Sequence, residues 1–141
     1  MRQGSLTADP GSIALSGCSM TLVLVADDSP VIRKVARRIL EKMDLEVIEV
    51  PDGQAALTSC AARMPRLILL DWNMPVLDGF GFLRELRRMP GGSDPVVMLC
   101  TTENDVAHMA RARHAGANTF LMKPFDQTIL QTKCRELGIA A

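Results

Sequence analysis

The sequence has no tyrosine, one tryptophan and four phenylalanines, so aromatics are only 4% of 141 residues while hydrophobic residues reach 48%. A core drawn from this chain has to be mostly aliphatic, and the length fits one domain. There is no excess charge of either sign: Lys plus Arg and Asp plus Glu stand at 16 each. The basic bias that phosphate-backbone recognition favours is therefore missing, which argues against DNA binding. The cysteines, Cys18, Cys60, Cys100 and Cys134, form no C-x-x-C pair. They read as reduced thiols, which implies a cytoplasmic setting. His108 and His114 have no Cys or carboxylate at ligand spacing and read as surface or helix-end residues, so no zinc site is expected. No apolar run approaches the roughly 20 residues that span a bilayer, and "MRQGSLTADPGSIALSGCSM" lacks the apolar core of a signal peptide. Residues 1–19, rich in Gly and Ser and without period, are expected to be a disordered leader or an appended remnant, with the domain at 20–141.

From residue 20 onward, short aliphatic runs alternate with helical patterns, as a parallel sheet with helices on both faces requires. Strands are predicted at 21–26, 45–50, 66–70, 96–100 and 119–122. The first helix follows Ser29-Pro30, with Ser29 as N-cap and Pro30 at the first helical position; Ile32, Val35, Ala36, Ile39, Leu40 and Met43 mark its apolar face. Helices are also predicted after Asp52-Gly53, after Asp78-Gly79, from near Glu103 and after Asp126. The two Asp-Gly pairs read as turn chemistry, and Met74-Pro75 as loop shaping. Arginines on the first, third and fourth helices (Arg33, Arg37, Arg38, Arg84, Arg87, Arg88, Arg111, Arg113) read as solvated faces; docking of an acidic partner or a nucleotide messenger is their specific alternative.

Sites in open sheets of this kind lie beyond the carboxyl ends of the strands. Asp27 and Asp28 follow the first strand in "LVADDSPVIRK", Asp71 follows the third, Thr101 the fourth and Lys123 the fifth. Three carboxylates gathered at one edge repel one another unless something positive joins them, and an oxygen-rich pocket of this type suits Mg²⁺. With that ion present Asp71 stays ionised and is a usable nucleophile towards phosphorus, while Lys123 and the Thr101 hydroxyl are placed to hold phosphate oxygens. Trp72, beside this pocket, reads as a packing residue or a reporter of metal binding, and Thr102 as a side chain narrowing the approach to the phosphate.

The acidic pair Asp27-Asp28, "DWNMPVLDG" from Asp71 to Gly79, Thr101 after "PVVML" and "LMKPF" from Leu121 to Phe125 together resemble the receiver domain of two-component response regulators, the CheY-like family. The resemblance implies a flavodoxin-like (βα)5 fold with strand order 2-1-3-4-5. It implies that Asp71 accepts a phosphoryl group from a histidine kinase or a histidine phosphotransfer protein. Asp27, Asp28, Asp71 and the Asn73 carbonyl would serve Mg²⁺, and the Lys123-Pro124 bond would be cis. Phe120 falls where the family has its switch aromatic, often Tyr. Asn73 and Glu103 fall where the family tunes phosphate lifetime, and this polar pair favours fast resetting.

Adding about −2 of charge at Asp71 would draw Thr101 inward and let Phe120 rotate, changing the surface of the fourth helix, fifth strand and fifth helix. Met109, Arg113, Phe120 and Lys133 are the expected partner contacts on that surface. With little chain beyond the fifth helix, a stand-alone switch acting on a downstream protein is the leading expectation, self-catalysing its phosphorylation and dephosphorylation without being a turnover enzyme. A relay shuttle and an arginine-based nucleotide-binding module remain as alternatives. A phosphatase of the haloacid dehalogenase type would want an acid two residues after the nucleophile, where this chain has Asn73.

Overall fold

The computed structural model describes residues 20–102 and 106–140. Five strands alternate with five helices: β1 (Leu22–Ala26), α1 (Pro30–Glu41), β2 (Glu46–Val50), α2 (Gly53–Ala62), β3 (Leu67–Asp71), α3 (Gly79–Arg88), β4 (Val96–Thr101), α4 (Val106–Ala115), β5 (Thr119–Met122) and α5 (Gln127–Glu136). All pairings are parallel, in the order β2-β1-β3-β4-β5, the predicted flavodoxin-like arrangement.

The central strands are buried on both faces, which is why they are continuous apolar runs rather than alternating ones. Their side chains still divide with period two. Leu24, Ala26, Ile68, Leu70, Val97 and Leu99 pack with residues of α2, α3 and α4. Val23, Val25, Leu67, Leu69, Met98 and Cys100 pack with residues of α1 and α5. Met74, read from sequence as a loop-shaping residue, is 8% exposed and belongs to the first of these clusters.

Among the described residues, four helices start on a side-chain cap. Ser29 accepts from the Ile32 amide at 3.3 Å, and Asp52, Asp78 and Asp126 accept from Ala55, Gly81 and Ile129 at 2.7 to 2.8 Å. The Asp-Gly pairs do more than turn the chain. A Cβ on Gly53 would lie 2.2 Å from the Leu77 carbonyl oxygen, and one on Gly79 would lie 2.8 Å from that of Asp71. Close backbone approach is what demands glycine there.

Val35, assigned by periodicity to the apolar face of α1, is 37% exposed; Ala36, Ile39 and Leu40 carry the burial. Arg33 and Arg37 are not simply solvated either. Both guanidiniums engage Glu49 on β2, because this edge of α1 lies over a charged strand position. Arg87 departs furthest from the solvated-face reading: it donates to the carbonyls of Gly92, Pro95 and Gly116 and to Asn118 Oδ1 at 2.6 to 3.0 Å, tying α3 to the segments that lead into β4 and β5. The start of the fourth helix predicted near Glu103 falls outside the described residues.

Candidate functional site

Strand register alone assembles the site. Ala26 pairs with Leu70, so Asp27 comes off β1 beside Asp71, the last residue of β3. Asp71 pairs with Cys100 and Thr101 with Met122, so Thr101 and Lys123 arrive one step further along the same edge. Asp71 and Thr101 were expected just past their strands; they are terminal ladder residues instead, which fixes their backbones more firmly. The site lies where β1 has neighbours leading in opposite directions, the topological switch point of the sheet.

Asp27, Asp71 and Thr101 are buried, at 3%, 7% and 3% exposure, while Asp28 is exposed. The Lys123 ammonium donates to Asp27 Oδ2 at 2.9 Å and to Asp71 Oδ1 at 3.2 Å. Asp27 Oδ1 accepts from the Ser29 amide at 2.9 Å, and the Asn73 amide reaches Asp71 Oδ1 at 3.4 Å. Lys123 is positioned from both sides of its Cα: its amide donates to the Thr101 carbonyl at 2.9 Å, and the Lys123–Pro124 bond is cis.

Burial, and then the neighbouring Asp27 carboxylate, push the Asp71 carboxyl above the ordinary range against the pull of Lys123. Burial alone draws the Lys123 ammonium down, but the two carboxylates bonded to it outweigh that and leave it raised. Each of Asp27, Asp28 and Asp71 offers an oxygen within 4.8 Å of the others. Among the described residues, three carboxylates share one directly bonded ammonium at a partly buried edge, an excess of negative charge of the kind a divalent cation offsets. The donor set is all oxygen, as Mg²⁺ prefers. The residues present therefore fit that ion, with Asn73, exposed on the loop after β3, near enough in sequence to lend its carbonyl.

The expected switch aromatic, Phe120, is 8% exposed and packs in the cluster on the α2–α3–α4 side, with half-buried Met109 against the same cluster. Arg113 Cζ stands 5.2 Å from the Phe120 ring centroid. Lys133 lies half-buried on α5, and Thr102 is exposed at the end of β4. Glu103 lies outside the described residues.

Sequence reasoning missed several contributors. Arg33 Nη1 donates to the Asp27 carbonyl at 2.8 Å, pinning the end of β1. His108, read as a surface residue, meets Trp72 edge-on with centroids 4.8 Å apart, and Trp72 also meets Phe80 at 5.8 Å. These three rings lie 36 positions apart at the extremes, so no local spacing announces them. Gly79 was visible as a helix-start glycine, but its closeness to the Asp71 backbone was not.

The family model described as "Response regulator receiver domain" matches residues 23–135. Among curated proteins, the chain is 37% identical over 116 residues to the KDP operon transcriptional regulatory protein KdpE of Escherichia coli, covering 82% of this chain and 50% of that one. This chain spans about half the length of the curated relatives it matches. Among solved structures, chemotaxis protein CheY4 of Vibrio cholerae superposes with a TM-score of 0.80 at 30% identity, covering 84% of this chain and 98% of that one. The receiver domain of sensor histidine kinase PA1611 from Pseudomonas aeruginosa gives 0.77 at 30% identity, covering 85% and 99%, and its structure has a magnesium ion coordinated in the active site cleft.

Proposed function

The chain belongs to the response regulator receiver domain family of two-component signalling, and from that premise we propose that it is a phosphorylation switch whose phosphoacceptor is Asp71. The observation that carries the reading is the joint hold of Lys123 on Asp27 and Asp71 beside a third carboxylate, Asp28. Asp27, Asp28, Asp71 and the Asn73 carbonyl would hold Mg²⁺. A divalent cation bound there compensates the excess negative charge and lowers the barrier to bringing an anionic phosphoryl group close.

The chain's own groups do the rest. An Asp71 carboxylate oxygen forms a bond to phosphorus as the bond from phosphorus to the donor's imidazole nitrogen breaks, and the imidazole leaves with that electron pair. Asp71 Oδ1 is engaged by Lys123 and Asn73 among the described contacts, which orients the carboxylate for attack. Lys123 then follows the new charge onto the phosphate oxygens, and the Thr101 hydroxyl, one ladder step beyond Cys100, accepts a role as hydrogen-bond donor to them. Histidine kinases or histidine phosphotransfer proteins are the phosphoryl donors.

Output passes through the α4–β5–α5 face, where rotation of Phe120, now buried under Arg113, would change the surface offered to a partner. Met109, packed against the same cluster, and Lys133 on α5 are the further contacts for a downstream protein. The molecule is a phosphoacceptor that also promotes its own dephosphorylation, not a turnover enzyme: the position two residues after Asp71 is Asn73, which cannot protonate a leaving group. No helix among the described residues is long and apolar enough to cross a membrane, in keeping with action in the cytoplasm.

The test is to incubate the protein with acetyl phosphate and Mg²⁺ and weigh it intact. One labile phosphoryl group is expected, absent in Asp71→Asn and absent with EDTA. A folded, metal-supplied protein that gains no mass would overturn the assignment. A relay shuttle differs in keeping its phosphoryl group until a histidine acceptor is added, so the decay rate with and without a phosphotransfer protein separates the two roles.

A further inference from the structure

The groove between α3 and α4 lies apart from the phosphoacceptor pocket. Two adjoining cavities of about 320 and 450 Å³ open along it, sharing Phe80 and His114 in their walls. Half-buried Phe80 stands between arginines from both helices: Arg84 Cζ lies 5.6 Å and Arg111 Cζ 5.2 Å from its ring centroid. A guanidinium held over a ring keeps its N–H donors at the edge, available to other acceptors.

The neighbouring arginines are already committed. Arg87 is consumed by three carbonyls and Asn118, and Arg88 faces Glu85 at 3.6 Å. Arg84 and Arg111 are exposed, and among the described residues neither has a carboxylate partner. Two preorganised forks beside an apolar floor of Phe80 and Ala110 are therefore left facing solvent.

We infer that this groove docks an acidic segment of a partner protein, its carboxylates taken by Arg84 and Arg111 and an apolar side chain laid along Phe80. Charge complementarity selects the occupant, because the guanidinium fork matches a carboxylate bidentately. The Phe80 ring already carries two guanidiniums and meets Trp72 edge-on at 5.8 Å, so little aromatic face is left to stack a nucleotide base. Trp72 follows Asp71 directly and also packs on His108 of α4. Docking in the groove and chemistry at Asp71 thus bear on the same ring and the same helix.

The probe is a fluorescein-labelled helical peptide carrying Glu at i and i+4 with Leu between them, followed by anisotropy at low ionic strength, with a Gln-for-Glu version as control. The Glu peptide is expected to bind, to weaken as salt is added, and to alter the emission of Trp72. The Gln peptide and the Arg84→Ala/Arg111→Ala protein should each be weaker by about tenfold or more. An Arg84→Lys/Arg111→Lys protein, which keeps the charge and loses the fork, should fall between. Absence of binding by the Glu peptide, equal binding to the double Ala variant, or binding of ATP but not of the peptide would each overturn the inference. Neither arginine belongs to the phosphoacceptor pocket, so the double variants should still take one phosphoryl group from acetyl phosphate; this keeps failure of the groove distinct from failure of the pocket.

Discussion

Lys123 holds two buried carboxylates at once, so its removal leaves both acids without their cation. Breaking a buried pair from one side costs more than the pair contributes, because the abandoned charge stays desolvated. Lys123→Met is expected to lower unfolding free energy by up to about 3 kcal/mol in EDTA. Mg²⁺ should restore more stability to this variant than to the wild type, since a ligand that binds only the folded state stabilises it by mass action; urea titrations with and without the metal would measure both. The thiols behave oppositely, as residues that burial silences. Burial pushes Cys60 and Cys134 up to about 11 and Cys100 up to about 12. At pH 8 a thiol near 11 is only about one-thousandth thiolate, and the thiolate is the reactive form. In a Cys18→Ser background, iodoacetamide at pH 8 should therefore leave the native protein unlabelled over a time that modifies all three cysteines in urea. Rapid labelling of the native protein would contradict the burial described for these residues.

The loop between β3 and α3 is where an element boundary and the site become one problem. Gly79 donates its amide to the Trp72 carbonyl at 3.0 Å, and its Cα sits so close to the Asp71 backbone that no side chain fits. The atoms in the way are backbone, which cannot swing aside. Gly79→Ala should destabilise by about 1–3 kcal/mol and slow phosphorylation by acetyl phosphate as Asp71 shifts; wild-type kinetics in this variant would refute the coupling. Three residues earlier, Val76 has φ +69 and is 80% exposed. A β-branched residue at positive φ is strained by roughly 1–2 kcal/mol. Replacing it with glycine removes that strain and returns only about 0.4–1 kcal/mol as extra freedom in the unfolded chain. With no burial to lose, the strain relief wins, and Val76→Gly is expected to raise the melting temperature slightly. The cap at Ser29 was legible because it obeys a local rule read over three residues, whereas Asp52 and Asp78, read as turn residues, and Asp126, read only as a helix boundary, prove to cap by the same rule. The crowding at Gly53 and Gly79 was not legible, because the nearest clashing atoms are backbone brought close only by the folded path of the β3–α3 loop: Leu77 against Gly53, and Asp71 and Trp72 against Gly79.

For the molecule as a whole, phosphorylation should act on one side of the sheet. Phe120 packs with the α2–α3–α4 cluster, while α1 and its contacts lie on the opposite face. On addition of acetyl phosphate and Mg²⁺, amide hydrogen exchange is expected to change within α4 and β5, residues 106–122, and to stay constant in α1, and Phe120→Ala should blunt the change; a response spread evenly over both faces would count against a switch at Phe120. The fold class, the strand order implied by the family resemblance and the residues Asp27, Asp28, Asp71, Thr101 and Lys123 were all readable in the sequence. Aliphatic runs must be strands buried on both faces, and the polar residues that end such runs have nowhere to go but one edge. The tertiary structure decided what depends on residues distant in the chain meeting: Lys123 divided between two acids 96 and 52 positions away, Arg87 turned inward onto four acceptors, and Trp72, Phe80 and His108 gathered into one ring cluster. Periodicity reports which face of an element is apolar; it carries no information about which side chain waits on the neighbouring element, and that is settled only when the layers pack.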